Sequence, residues 1–336
     1  MNLPKHVTIG DITIRDGFQH EEHFIPTESK IWLGKKLIQC GFTSLEVTNM
    51  GNPKGMPQFI DADEVLQGIR KSKTQTDAAI HTKLTAVTIR EKAIERAIQS
   101  KQDGYGPDRI LLMVSTSEMH HKVNSGLSLS EYWKMAEKYI PLAREAGMEV
   151  CGTVSTIWGC PLSGPTDMNK AIDFSQRWLD IGATDIEHAD HDGSGTPASI
   201  YAYFSMLLDR IPDPSKHIVH LHTTRGWGLA NALAALQAGM THFESTMGGI
   251  GGQPANFVDG VPVAGTGEYY IKDPNISGLI STEDFVVMLD EMGITTNLNI
   301  DMVLETGRMV ERIVGRTLRS ESIKSGRIPS GLSSKI

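Results

Sequence analysis

The feature that most constrains this chain is an alternation: eight short β-rich runs, each followed by a longer segment with helical periodicity. Parallel strands need a crossover of a dozen or more residues between them, so alternation of this kind reads as βα units on a parallel sheet. The runs cover 6–14, 43–48, 80–87, 109–115, 148–155, 184–189, 217–222 and 241–246. Eight such units close a barrel, and the expected class is α/β, a (β/α)8 TIM barrel, with a doubly wound sheet as the alternative. Barrels hold 200 to 250 residues or more in one unit, so 336 residues do not demand two domains.

Helix ends support the pattern. A helix over 28–39 groups Ile31, Leu37 and Ile38 on one face before Gly41 stops it. Ser128 with Glu131 makes a capping box, and Ser281 with Asp284 a looser one. After the eighth run comes Gly248-Gly249-Ile250-Gly251-Gly252-Gln253-Pro254, then a polar stretch read as one long loop, with 255–277 as a lid or specificity element. Helices over 282–292 and 301–315 follow, packed beside the barrel. The expected organisation is a single catalytic domain over 1–320 and a flexible tail over 321–336.

Composition narrows the function. A net charge of -8 argues against a nucleic-acid or anionic-membrane binder, which would need an excess of basic residues. Three scattered cysteines, Cys40, Cys151 and Cys160, give neither a disulfide framework nor a cysteine-only zinc site and suit a reducing cytoplasm. The opening residues lack an apolar signal region, and no run is long enough to span a membrane.

Barrel chemistry sits where the strands end, at the C-terminal rim, so polar strand ends carry the site. Run seven ends His220-Leu221-His222, and residues two apart on a strand share a face, so the two imidazoles project together at metal-ligand spacing. Run one ends Arg15-Asp16-Gly17, run two carries Glu46, and run six ends Glu187-His188-Ala189-Asp190. Carboxylates from several strands of one rim can converge with two histidines on a hard divalent cation. A non-haem iron facial triad and an amidohydrolase-type site are alternatives. The first suits all-β scaffolds, and the second places its HxH on the first strand.

Thr13-Ile14-Arg15-Asp16-Gly17-Phe18-Gln19, His220-Leu221-His222 and the Gly-rich segment from Gly248 to Pro254 resemble the DRE-TIM metallolyases, most closely the 3-hydroxy-3-methylglutaryl-CoA lyases. Leu45-Glu46-Val47-Thr48, Ser117-Glu118, Gly159-Cys160-Pro161 and Gly195-Thr196-Pro197 are similar to the lyase branch as well. The resemblance implies retro-Claisen cleavage of an acyl-CoA substrate with Mg²⁺ or Mn²⁺, zinc also binding in vitro. Asp16, His220 and His222 would be the ligands, Arg15 would meet the enolate oxygen, Glu46 would support the site, and Asp190 would face the substrate hydroxyl. Gln19, Gln253, Tyr269 and Tyr270 would line the substrate side, and the protein would be a cytoplasmic homodimer or higher homo-oligomer.

Three positions depart from the family pattern. Gln253 stands where the family has a cysteine used in proton transfer, and an amide does not titrate near neutral pH, which leaves His191, Glu268 or a water to deliver the proton. Leu279 stands where an asparagine would ligate the metal, leaving Asn256, Asn275 or a water. Thr223-Thr224-Arg225 follows the histidine pair where Asp-Thr is expected. The loop is also longer than in the family, so the substrate is a 3-hydroxyacyl-CoA or a related hydroxy acid. The competing readings are a condensing synthase running the reverse direction and a catalytically silent acyl-CoA binder.

Overall fold

The computed structural model describes residues 3–19, 21, 23–73, 82–160, 162–251, 256–258, 261–263, 268–269 and 278–329. Eight parallel strands close in sequence order: β1 Thr8–Asp11, β2 Ser44–Asn49, β3 Lys83–Val87, β4 Arg109–Ser115, β5 Glu149–Ser155, β6 Asp185–Asp190, β7 His217–Leu221 and β8 His242–Ser245. β1 pairs with β8 over four residues, Thr8↔His242 to Asp11↔Ser245, and this pairing shuts the barrel. The doubly wound alternative is thereby excluded.

The crossover helices are α1 Thr27–Cys40, α2 Ala62–Lys73, α3 Glu91–Gln102, α4 Glu118–Ser125 with α5 Leu129–Glu145, α6 Met168–Asp180, α7 Pro197–Arg210 and α8 Gly228–Gln237. α1 buries Leu33, Leu37 and Ile38 and ends at Gly41, whose φ of 102° is the left-handed geometry glycine adopts without strain. α5 starts on the expected capping box between Ser128 and Glu131. The outward faces of the strands pack on these helices in one large apolar cluster that includes Ile110, Leu112, Val150, Val154, Val219 and Leu221. The inward faces differ: Glu46, Arg109, Glu187, His220 and Glu244 are all buried at 4% exposure or less. A charged barrel interior costs stability unless its members pair, so it marks where function was placed.

Three expectations need correction. The first strand, expected over 6–14, ends at Asp11, and residues Thr13–Gly17 instead wind into one wide helical turn in which Gly17 N–H reaches Ile12 O at 3.2 Å and Phe18 N–H reaches Thr13 O at 2.9 Å. Turns closed by five-residue hydrogen bonds concentrate at functional sites. The stretch read as one long loop contains an antiparallel sheet of β9 Asn256–Val258, β10 Val261–Val263 and β11 Glu268–Tyr269, in the order β10-β9-β11. The tail expected to fray from 321 begins with α11, Glu321–Ser325, docked through Ser320 Oγ and Ser322 N–H on Asp284 Oδ1 at 2.9 and 2.7 Å. Residues 330–336 lie outside the described residues.

α9 Thr282–Glu291 and α10 Ile300–Val314 follow the barrel. Before them, residues 278–281 cross the rim: Leu279 bridges His222 and Ser281 bridges Thr246. The crossing is so close that a Cβ on Gly278 would lie 1.8 Å from Gly249 O. Only glycine fits there. Gly248, at φ 61°, turns its N–H onto both carboxylate oxygens of the buried Glu283, at 3.0 and 2.8 Å.

Candidate metal centre at the barrel rim

Two structural devices assemble the site. The wide turn after β1 carries Arg15 and Asp16 back over the barrel mouth, and the alternation of β7 places His220 and His222 on the inner side. His220 Nε2 and His222 Nε2 lie 3.3 Å apart, and Asp16 Oδ2 is 3.7 Å from His220 Nε2. One ligand atom from each of these three buried residues falls within 4.8 Å of the other two. The spacing expected from the HxH and RDG elements is therefore realised across strands that are far apart in sequence.

The donor set fits a divalent cation: two imidazole nitrogens and one carboxylate oxygen. His220 has its orientation fixed from behind. Its Nδ1 lies 3.3 Å from Glu244 Oε2 and 3.7 Å from Glu187 Oε1. A carboxylate accepting the Nδ1 proton leaves Nε2 as the free donor, the arrangement usual behind metal-bound histidines. Glu187 is among the polar strand ends named above, whereas Glu244 is not. The readable signal for Glu244 was its period-two offset from His242 in a short strand, which puts it opposite Phe243 on the inward side, and β8 pairs it with His220 and Gly10.

Burial pushes the Glu244 carboxyl up to about 8, Glu46 adding to the effect, and pushes Glu187 well above the usual carboxylate range, with Glu244 as the next cause. Glu46 Oε1 and Glu187 Oε2 are buried without a hydrogen-bond partner. Raised values of this kind mark acids whose negative charge the surroundings do not offset, a setting that a bound cation would complete.

Arg15 lies beside the triad at 7% exposure. Its Nε donates to Glu46 Oε2 in a tight ion pair, and its Nη1 is 3.5 Å from Asp16 Oδ1. Burial opposes its charge, but Glu46, Asp16 and Glu187 together raise its pKa above the ordinary arginine value, so it stays cationic. Asp190 closes β6 and is held by Gly195 N–H at 3.2 and 3.1 Å, while its backbone oxygen accepts from His222 N–H at 3.4 Å. Burial, then the charge of Asp192, pushes its carboxyl up to about 7. His191 follows Asp190, its ring centroid 6.2 Å from that of His222 and 4.7 Å from that of His120.

Gln19 sits at the end of the wide turn, its N–H 3.4 Å from Asp16 O. Gln253, Tyr270 and Asn275 lie outside the described residues, and of Tyr269, Asn256 and Glu268 only the backbone is described. Leu279 is fully buried and meets His222 through its backbone.

Comparison with known proteins agrees with this architecture. The HMGL-like family profile matches residues 6–310. The chain is 30% identical to hydroxymethylglutaryl-CoA lyase YngG of Bacillus subtilis over 324 residues, covering 96% of this chain and 98% of the relative. It is 31% identical to the mitochondrial hydroxymethylglutaryl-CoA lyase of Macaca fascicularis, covering 95% and 89%. Among solved structures, an HMG-CoA lyase from Acinetobacter baumannii in complex with coenzyme A and 3-methylmalate superposes with a TM-score of 0.83 at 27% identity, covering 97% of each chain. With a family match over nearly its whole length, the chain belongs to the HMGL-like family.

Proposed function

We propose that this protein is a divalent-metal-dependent carbon–carbon lyase that cleaves 3-hydroxy-3-methylglutaryl-CoA, or a close 3-hydroxyacyl-CoA, to an acetyl-CoA-type thioester and a keto acid. The observation that carries the reading is a buried guanidinium, Arg15, held against a buried Asp16/His220/His222 set at the C-terminal rim. Names of relatives support the substrate class.

Asp16, His220 and His222 would hold the ion, Mg²⁺ or Mn²⁺ by the hard-donor preference of the site, which would acidify and orient the substrate hydroxyl when bound. Asp190, with a carboxyl near 7, takes the hydroxyl proton at neutral pH. As the O–H electrons form the new carbonyl, the C–C bond breaks and its pair moves onto the thioester enolate. Arg15, permanently cationic and aimed by Glu46, stabilises the developing oxyanion. His191 gives the enolate carbon its proton, the task Gln253 has no proton to perform. Gln19, at the end of the wide turn, borders the substrate.

We further infer a cytoplasmic homodimer or higher homo-oligomer. No helix of the described residues is long and apolar enough to cross a membrane. Light scattering after size exclusion measures the assembly. The decisive assay starts from chelated protein, restores Mg²⁺ or Mn²⁺, supplies 3-hydroxy-3-methylglutaryl-CoA and quantifies acetyl-CoA and acetoacetate. Cleavage that survives exhaustive EDTA treatment refutes the metal-centred mechanism. Binding without turnover would indicate the silent acyl-CoA binder, and turnover only from acetyl-CoA plus a keto acid the synthase.

A further inference from the structure

The turn after β7 carries a feature that the proposed chemistry leaves unused. Thr223 N–H bonds Gly278 O at 2.8 Å, Gly226 N–H bonds Thr223 O at 2.8 Å, and Gly228 N–H bonds Thr223 Oγ1 at 3.1 Å. Thr224 is packed onto the loop after β6 so closely that a Cβ on Gly193 would lie 2.9 Å from its Oγ1. The turn is thereby fixed between the Asp190 loop and the segment crossing the rim.

At its tip Arg225 is exposed and stacks on Trp227, guanidinium carbon to ring centroid 4.7 Å, with Trp227 itself 42% exposed. Among the described residues Arg225 makes no hydrogen bond or ion pair. Its charge reaches Asp190, where it opposes the rise caused by burial. An arginine with uncommitted donors, three residues beyond a metal ligand in a chain of net charge -8, is placed to meet an anion. Stacking on an indole leaves the in-plane N–H fork free and restricts its rotamers, so less entropy is lost on binding.

We propose that Arg225 is a specificity-determining residue that binds the free carboxylate of the substrate, with Trp227 holding its guanidinium flat. The inference rests on the lyase reading, because that substrate class carries a carboxylate at the end remote from the thioester. The phosphates of coenzyme A are the other source of negative charge, and the test separates the two.

Arg225→Met, Arg225→Lys and Trp227→Leu are compared with wild type, all loaded with Mn²⁺. A lost charge-assisted pair is worth roughly 10- to 100-fold in affinity. Arg225→Met should raise KM for 3-hydroxy-3-methylglutaryl-CoA by about that factor, with kcat changed far less, and Arg225→Lys should recover only part. By calorimetry, Arg225→Met should weaken 3-methylmalate while leaving coenzyme A unchanged. Weaker coenzyme A with unchanged 3-methylmalate assigns the anion to the phosphates and overturns the proposal. Equal affinities for both ligands, or a wild-type protein that binds no 3-methylmalate, also overturn it. If wild type fails to turn over the thioester, the lyase reading fails by itself, and the 3-methylmalate comparison still decides the role of Arg225.

Discussion

Replacing Arg15 by methionine separates transition-state stabilisation from binding and from folding. On the proposed mechanism Arg15 faces charge that develops on the enolate oxygen, so its loss should lower kcat by about 10²- to 10³-fold with little change in KM. The structure adds a complication of similar size. The Glu46 side chain has no solvent exposure and its partner is Arg15, so Arg15→Met leaves a buried carboxylate alone, at a cost of about 3–5 kcal/mol. A companion variant, Arg15→Met/Glu46→Gln, removes the orphaned charge and should regain most of the melting temperature. It should not regain kcat, because no cation faces the enolate. Steady-state kinetics with restored Mn²⁺ and thermal melts of wild type, both single variants and the double variant complete the cycle. If the double variant recovers kcat with its stability, Arg15 acts through folding alone. If Arg15→Met raises KM and spares kcat, it is a ground-state binding residue. Either result refutes the enolate assignment.

Glu244→Leu removes the acceptor behind His220 Nδ1 and should weaken Mn²⁺ binding by about 10- to 100-fold in calorimetry; an unchanged affinity would show that His220 needs no orienting partner. Burial pushes Glu283 up to about 8 from an ordinary 4.5, with the Gly248 N–H bonds opposing. Its contribution to stability is therefore full below its unfolded pKa and is lost as pH rises through about 8, so Glu283→Gln should gain on wild type in urea melts between pH 5 and 8.5, by an amount on the order of a few kcal/mol; parallel curves would dismiss the linkage. Gln253→Ala should cost less than about tenfold in kcat, the worth of one hydrogen bond, whereas His191→Phe should cost about 10²-fold or more as a lost proton donor. The reverse ranking would make Gln253 the group that manages the proton.

The sequence by itself determined the barrel and the grouping of half of the candidate site. Parallel pairing forces a crossover between strands, so the βα rhythm is written locally, and so are the Ser128 box and the Gly41 stop. Period-two alternation put His220 and His222 on one face without any knowledge of neighbours. Only the tertiary structure decided what lies inside the barrel. Glu187 and Glu244 become partners of His220 because closure brings β6, β7 and β8 side by side, a register no local pattern encodes. The same holds for the turn at Thr13–Gly17. Its residues read as a continuing strand, but Asp11 accepts from Thr13 N and Oγ1 at 2.9 Å each and Thr13 Oγ1 accepts from Met247 N–H at 2.8 Å. Two of these bonds are local, while the third ties the turn to the chain after β8, and the turn is what carries Arg15 and Asp16 over the histidines. Pairing of Arg225 with Trp227 is likewise a product of the folded loop, since a separation of two residues in sequence does not fix their stacking.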